Sequence, residues 1–473
     1  MAAISDLTLT VSKFIGGTLD LGLGSVEERR GRIQGQVLLP GDAGYDDART
    51  VWNAAIDKRP SLIVRCSDAA DVVEAVKFAR ARDILVSVRC GGHNAAGKAV
   101  AEKGLMIDLT PICQVEVDPE RKIATVGGGA LLGDLDRATQ AHGLATTAGV
   151  VTHTGVGGLT LGGGVGNLAR KYGLACDNLV SADLVTAEGE QVTASDDENS
   201  DLFWALRGGG GNFGIATTFK FRLHEIGRTA WYAVANHHLS DSKGALKFLM
   251  DFAPAAPWEV ASKAIFATAE DGVPIVSIGA SHIAPLDTAR SVLKPLVEFG
   301  CPLATRLEER PYLDIQSDAD QRFPYGQNYY WKTHLIRPLS DAAIDVLIDC
   351  FAAVPNARSM IVLQQFGGAV AYIAPDTTAF ANRNAEFDFI PVAVWHEGEE
   401  AEALIEWVRG TWTSMKPFST GGVYLNSLGG DEEDERRVGE ALGGNEVRLR
   451  KIKARYDPSN FFRLNANIQP AQS

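Results

Sequence analysis

VRCGGHNAAG, residues Val88–Gly97, holds the end of the β-rich run that starts at Ile84 and the loop which that run feeds. An apolar strand followed by two glycines, a histidine and a small-residue turn reads as a strand ending in a backbone-permissive loop that carries one imidazole. Gly91 and Gly92 have no Cβ, so a flat or phosphorylated ligand can lie against the backbone while His93 meets it from the side. By itself the pattern equally describes a turn with a satisfied histidine ring. Its weight comes from the rest of the chain.

Working outward, SLIVRC from Ser61 is a short strand, DAADVVEAVKFARARD is an Asp-capped amphipathic helix, and ILVSVRC is the next strand. This is βαβ order. GLMIDLT, QVEVD and KIATVGGG follow as short strands, and LLGDLDRATQAHG reads as a helix closed by Gly143. Residues 1–40 are expected to supply one helix. DNLVSADLVTAEGEQVTAS predicts a hairpin turning at Glu188 and Gly189, and DLFWALRGGGGNFGIATTFKFRL a short helix, a glycine loop and a strand. Near residue 230 the composition changes: from Trp231 to about Trp412 glycine thins and aromatics accumulate. Strands such as TAWYAVANHHL, PIVSIGASHI and FDFIPVAVWH alternate there with helices, among them DTARSVLKPLVEF. That predicts an antiparallel sheet with helices on one side, and so an α+β second domain over 231–439.

Composition narrows the function classes. A chain of 473 residues makes two or three domains, and 45% hydrophobic with 22% charged residues is an ordinary globular balance. The net charge of −14 disfavours nucleic acid or anionic membrane as partner. No run of 18 apolar residues exists to span a bilayer, and MAAISDLTLTVSKF lacks the pattern of a signal peptide. The scattered Cys66, Cys90, Cys113, Cys176, Cys301 and Cys350 read as reduced thiols of a cytoplasmic protein, with no disulfide frame and no metal site. The acidic run DEEDE at 431–435 reads as a solvated loop.

Three glycine loops fall in the first domain: Gly127 to Gly129, Gly155 to Gly166, and Gly208 to Gly211 followed by Asn212. Each exposes backbone N–H groups that can satisfy a pyrophosphate without lysine. Singly they would be turns; together with His93 they fit a bound dinucleotide. None has the GxxxxGK[ST] order, and none opens a helix as GxGxxG after the first strand.

VRCGGHNAAG, THTGVGGLTLGGGVG, RKYGLACDNLVSADLVTAEG, DLFWALRGGGGNFGI and the terminal ARYDPSNFFRLNANI resemble, in order, the motifs of flavin-dependent oxidoreductases of the berberine-bridge-enzyme type. These belong to the vanillyl-alcohol-oxidase and p-cresol-methylhydroxylase superfamily, and the resemblance runs from about Gln36 to Ile468. It implies a two-part FAD-binding domain, built from 1–230 and a returning tail at 440–473, around the substrate domain. It implies FAD linked through its 8α-methyl to His93. It also implies cofactor contacts at Arg89, Gly91, Gly92, Asn94 and Gly97, at Gly149, His153, Gly155, Gly158, Leu159, Gly163, Gly164 and Gly166, at Asn212, Gly214 and Ile215, and at Asn465 and Asn467. Where many relatives carry a cysteine for a second flavin link this chain has Val151, so attachment through His93 alone is expected. Thr154 stands where relatives hold a residue that influences oxygen access.

For the chemistry, a flavin oxidase needs a base near the reacting carbon. By motif position Asp388 matches the catalytic carboxylate, and burial among apolar neighbours would raise its pKa; an exposed edge-strand aspartate is the plain alternative. Tyr424 and Asn426 lie where relatives place an active-site tyrosine, although some carry it three residues later, at Ser427. Either Gln364 or Gln365 would aim its amide into the cleft, and Gln365 is the expected one. Tyr329, Tyr330, Trp331 and His334 could wall a flat substrate. The resulting expectation is an oxidase, monomer or homodimer, that takes a hydride from an alcohol, phenolic or amine carbon of a small aromatic or apolar metabolite and passes electrons to O2. A carbohydrate oxidase, a dehydrogenase with another acceptor, and a flavin-binding protein without turnover are the alternatives.

Overall fold

The computed structural model describes residues 8–283, 288–432 and 434–472; the sequence readings at 1–7, 287 and 433 lie outside them. The helix Ala69–Arg80 forms as its pattern requires, with the Asp68 carboxylate accepting the Asp71 N–H and with Val72, Ala75, Val76 and Ala79 on its buried face. It connects Leu62–Arg65 to Val86–Arg89, both parallel to Leu105–Asp108, and Gln36–Leu38 closes this four-stranded sheet antiparallel. The strand Val86–Arg89 therefore delivers Cys90 to His93 at its C-terminal end. Upstream, the expected single helix is Leu23–Arg30, and an unexpected hairpin, Thr8–Ser12 with Thr18–Gly22, precedes it. The period-two alternation of TLTVS and TLDLG and the left-handed Gly16 and Gly17 explain the hairpin.

A second, five-stranded antiparallel sheet has Leu179–Val185 and Ile215–Arg222 at its centre, with the hairpin to Gln191–Ser195 turning through Gly189 at φ +75°. The third sheet has eight strands, all antiparallel, from Thr229–His238 to Phe387–Trp395. Four helices, Ser242–Ala255, Ala289–Glu298, Asp341–Ala352 and Glu402–Met415, cover one of its faces and bury Phe266, Phe351, Phe387 and Phe389. Its other face carries Ile265, Tyr329, Met360, Val392 and Val394, which pack against Trp52 of the N-terminal half.

The tail expected from 440 packs with residues of the N-terminal half, and residues from Val423 onward join the same core. Val423, Leu425 and Leu428 already share a core with Phe203, Trp204 and Phe219, as do Leu449, Ile452 and Ile468. The helix Glu446–Tyr456 ends on a fully buried ion pair, Lys453 Nζ to Asp457 Oδ2 at 2.6 Å. Lys453 also donates to the carbonyls of Asn212 and Phe462, and Asp457 accepts the N–H groups of Phe461 and Phe462. With every lone pair and proton of the pair matched, its desolvation is offset, and residues 462–466 are held where they border the central cavity. Among the described residues no helix is long and apolar enough to cross a membrane, and no group of three His, Cys, Asp or Glu could hold a metal. All six cysteines are free thiols.

Candidate active site

A cavity of about 410 Å³ lies between the glycine loops of the first unit and the uncovered face of the eight-stranded sheet. Gly91, Gly92, Gly155, Gly157, Gly158 and Gly211 form one wall, Trp331, Val362, Gln364, Ile390 and Val392 the other, and Leu464 to Ala466 of the tail close an end. The loops approach backbone to backbone: a Cβ at Gly91 would stand 2.4 Å from the Gly155 nitrogen. At Gly158 and Gly211 an added Cβ would meet no protein atom and would project into the cavity. Asn465 donates to the Gly211 carbonyl at 3.1 Å, while its buried Oδ1 has no partner in the protein. A neutral glycine-built trough with an orphaned amide oxygen fits FAD, which would lie along it.

His93 sits at the mouth of the Val86–Arg89 strand, after Gly92 at φ +64°. Its ring stacks on Trp52 at 4.3 Å, and Trp52 stacks in turn on Tyr329 at 3.8 Å. The Nε2 atom lies 3.1 Å from Nδ1 of His153. Burial, and secondarily His153, hold the His93 imidazole down to about 3, so the ring is neutral.

On the sheet wall, strand parity decides which side chains reach the cavity. Asp388, Ile390 and Val392 share one face of Phe387–Trp395, and Asp388 pairs across with Gln364. Ile390, Val392 and Gln364 border the cavity. Asp388 does not; it is 2% exposed and capped by two hydroxyls, Thr333 Oγ1 to Oδ1 at 2.5 Å and Ser427 Oγ to Oδ2 at 2.9 Å. Burial raises its carboxyl to about 6, and the two hydroxyls oppose that rise. Ser427 does border the cavity. The carboxylate thus reaches the site through the serine.

The expectation for Gln365 is corrected by the same parity. It points to the opposite face, where its Oε1 accepts from Ser262 Oγ at 2.5 Å and its amide donates to Glu386, whereas Gln364 faces the cavity and donates to the Val165 carbonyl. Tyr424 and Asn426 border the cavity and also brace it. The Tyr424 hydroxyl accepts from the Gly164 N–H at 2.9 Å and from Asn426 Nδ2 at 2.8 Å, and Asn426 donates to the Leu159 carbonyl. Burial raises the phenol, which keeps its proton. Thr154 lines the cavity, and so do Gly91, Gly92, Asn94, Gly149, Gly155, Gly158, Leu159, Gly214, Ile215 and Asn465.

Other expected contacts lie elsewhere. The Arg89 guanidinium turns to the Thr50 carbonyl and toward Asp108. Gly97 packs on Ile56, Gly163 on Phe380, Gly164 on Ala175, and Gly166 on the Ala148 carbonyl; they shape the loops by allowing close packing. Asn212 bonds the Gly209 and Ala466 carbonyls and the Ile468 N–H, which staples the tail. Asn467 borders a separate hollow beside Ile468, and His153 stands behind His93. Of the expected aromatic walls, Trp331 lines the cavity and donates to the Ser427 carbonyl, while Tyr330 bonds Asp431 and His334 stacks on Trp412. The sequence reading missed Trp52, Lys98, Phe323 and Ser427 as lining residues. Ser427 alone carried a signal, its motif position; Trp52 carried none.

Residues 60–195 match the FAD binding domain family, and residues 423–469 match the berberine and berberine-like family. An FAD-linked oxidoreductase of Dictyostelium discoideum is 32% identical over 93% of this chain and 96% of its own. The (R)-6-hydroxynicotine oxidase of Paenarthrobacter nicotinovorans is 31% identical over 93% of this chain and 98% of its own. The crystal structure of 6-hydroxy-D-nicotine oxidase from Arthrobacter nicotinovorans superposes with a TM-score of 0.86 at 29% identity, covering 93% of this chain and 98% of that one. With both family matches falling on the segments that build the cavity, this chain belongs to the berberine-bridge-enzyme-like FAD-linked oxidoreductases.

Proposed function

We propose that this protein is an oxidase that carries FAD on His93 and takes a hydride from an amine, alcohol or phenol-bearing carbon of a flat, largely apolar metabolite, with O2 as acceptor and H2O2 as product. The observation that carries this reading is the Ser427–Asp388 pair, set in an apolar wall opposite the glycine loops. FAD, when bound, supplies the hydride acceptor and the route of electrons to oxygen. The protein has to orient the substrate and take the second proton. Trp331, Val362, Ile390 and Val392 give a flat ring a dry surface, and the Gln364 amide can fix one polar atom of it. With Asp388 ionised, the Ser427 hydroxyl donates to the carboxylate and turns its lone pairs to the cavity. A substrate O–H or N–H bonded there can pass its proton to the serine as the serine passes its own to Asp388. A carboxyl near 6 is ionised at neutral pH and still basic enough to receive it.

A relative named for 6-hydroxynicotine supports an alkylamine that bears an aromatic ring as the first substrate to try, and the apolar wall argues against a carbohydrate. The test is oxygen uptake and peroxide release across 6-hydroxynicotine, aromatic alcohols and phenols. Flavin reduction without oxygen uptake would make the protein a dehydrogenase, and no reduction by any of them would favour a flavin-binding protein without turnover.

A further inference from the structure

Three segments meet at His93: the loop after Val86–Arg89, residues 151–154, and residues 320–325. Asp320 takes the Thr152 N–H at 2.8 Å and its hydroxyl at 2.5 Å, which fixes the backbone beside His153. Tyr325 donates to the Gly91 carbonyl and lays its ring 5.0 Å from that of His153. His153 is therefore held against His93 from two sides. Trp52 stacks on the face of the His93 ring and leaves it two edge positions for its nitrogens, and His153 meets Nε2.

Two neutral imidazoles in contact must divide one proton between facing nitrogens. If the proton is on His93, Nε2 donates to His153 and Nδ1 keeps a free lone pair. If it is on His153, His93 carries its own proton on Nδ1, which then cannot act as a nucleophile. We infer that His153 is a positioning residue for cofactor attachment: it accepts the Nε2 proton of His93 and so presents Nδ1 as the nucleophile toward the 8α-carbon of FAD. The inference rests on the reading of His93 as the attachment site. In the net reaction the Nδ1–C8α bond forms, and one 8α C–H bond and the imidazole N–H bond break. The two electrons released reduce O2, which leaves with both protons as H2O2. The neutrality of His93 suits this role, because a protonated ring would have no lone pair.

The experiment uses full-length protein made under riboflavin starvation, mixed with FAD and quenched in acid at intervals, with flavin measured in the washed precipitate and total binding from visible absorbance. Wild type should accumulate acid-stable flavin and His93→Ala none; failure of either result overturns the attachment site itself. His153→Leu, similar in bulk and without an acceptor, should bind FAD but attach it at least about tenfold more slowly, by analogy with the loss when the partner that orients a metal-bound histidine is removed. His153→Asn places an amide oxygen near the lost Nδ1 and should restore most of the rate. Attachment at the wild-type rate in His153→Leu would overturn the inference. So would an Asn variant that binds FAD yet attaches it no faster than Leu. Should the Leu variant not fold, His153→Ala takes its place, and the Asn result still stands as a test.

Discussion

Replacing Asp388 by Asn should make the protein more stable and less active, and pH separates the two effects. The carboxyl is raised from 3.8 to about 6, chiefly by burial. That makes its ionised form about 3 kcal/mol less favourable in the fold than in the unfolded chain. For a group raised in this way the cost is absent below the unfolded pKa, develops through the interval between 3.8 and about 6, and is complete above it. Asn carries no charge, and its amide can donate to one of the flanking hydroxyls while its oxygen accepts from the other, since Thr333 and Ser427 both rotate. Urea unfolding of the two proteins should therefore give similar stability near pH 4 and an advantage for Asp388→Asn that grows to at most about 3 kcal/mol by pH 7.5. Over the same range turnover of wild type should rise through about pH 6 as Asp388 ionises, and the variant should lose about a hundredfold or more, the usual worth of a positioned base. Stability held back for activity is a known trade-off at catalytic sites. A stability difference that does not change with pH, or a variant that turns over at more than a tenth of the wild-type rate, would rule out Asp388 as the buried base.

Ser427→Ala removes one of the hydroxyls that hold the Asp388 pKa down, so the acid limb of the pH–rate profile should move upward and turnover should fall while acid-stable flavin is unchanged. Gly158→Val fills the trough rather than the protein, and should abolish flavin absorbance while the far-ultraviolet circular dichroism stays that of the wild type. Asp457→Asn strands the buried Lys453 ammonium, and should lower stability by about 3–5 kcal/mol in urea and loosen FAD through the Phe461–Phe462 backbone. Gln364→Leu should raise KM with little change in stability, whereas Gln365→Leu should cost about 1–3 kcal/mol of stability through Ser262 and Glu386 and leave KM alone.

Local rules carried the first unit far. Asp68 before an amphipathic run, the βαβ order around it, and the Gly189 turn are all short-range signals, and each forms where the sequence puts it. The glycine runs located the cavity, but position alone could not say which glycines border it: Gly158 opens to the trough while Gly163 and Gly166 pack on Phe380 and Ala148. Gln364 and Gln365 show the limit for strands. Which of two neighbours faces in depends on register against Lys263 and Asp388, and one residue reverses the answer. Asp388 was legible as an unusual acid in an apolar strand, yet not the hydroxyls that seal it, because Thr333 and Ser427 arrive from 55 and 39 residues away. Trp52 was beyond reach for the same reason, since its significance is a contact with His93 and nothing in its own neighbourhood, and His153 was legible as a residue of the site but not as the partner of His93.

The tail that packs into the first core from Val423 onward also sets a time order. Leu464, Asn465 and Ala466 border the same cavity as Trp52 and His93, so the trough is bounded by segments far apart in sequence. A nascent chain emerging from the ribosome can form the four-stranded sheet early, because its strands lie close together in sequence, but it cannot enclose a dinucleotide until the last helix is out and docked. A chain cut before Val423 would keep its glycine loops and lose the segment that closes the trough beside them.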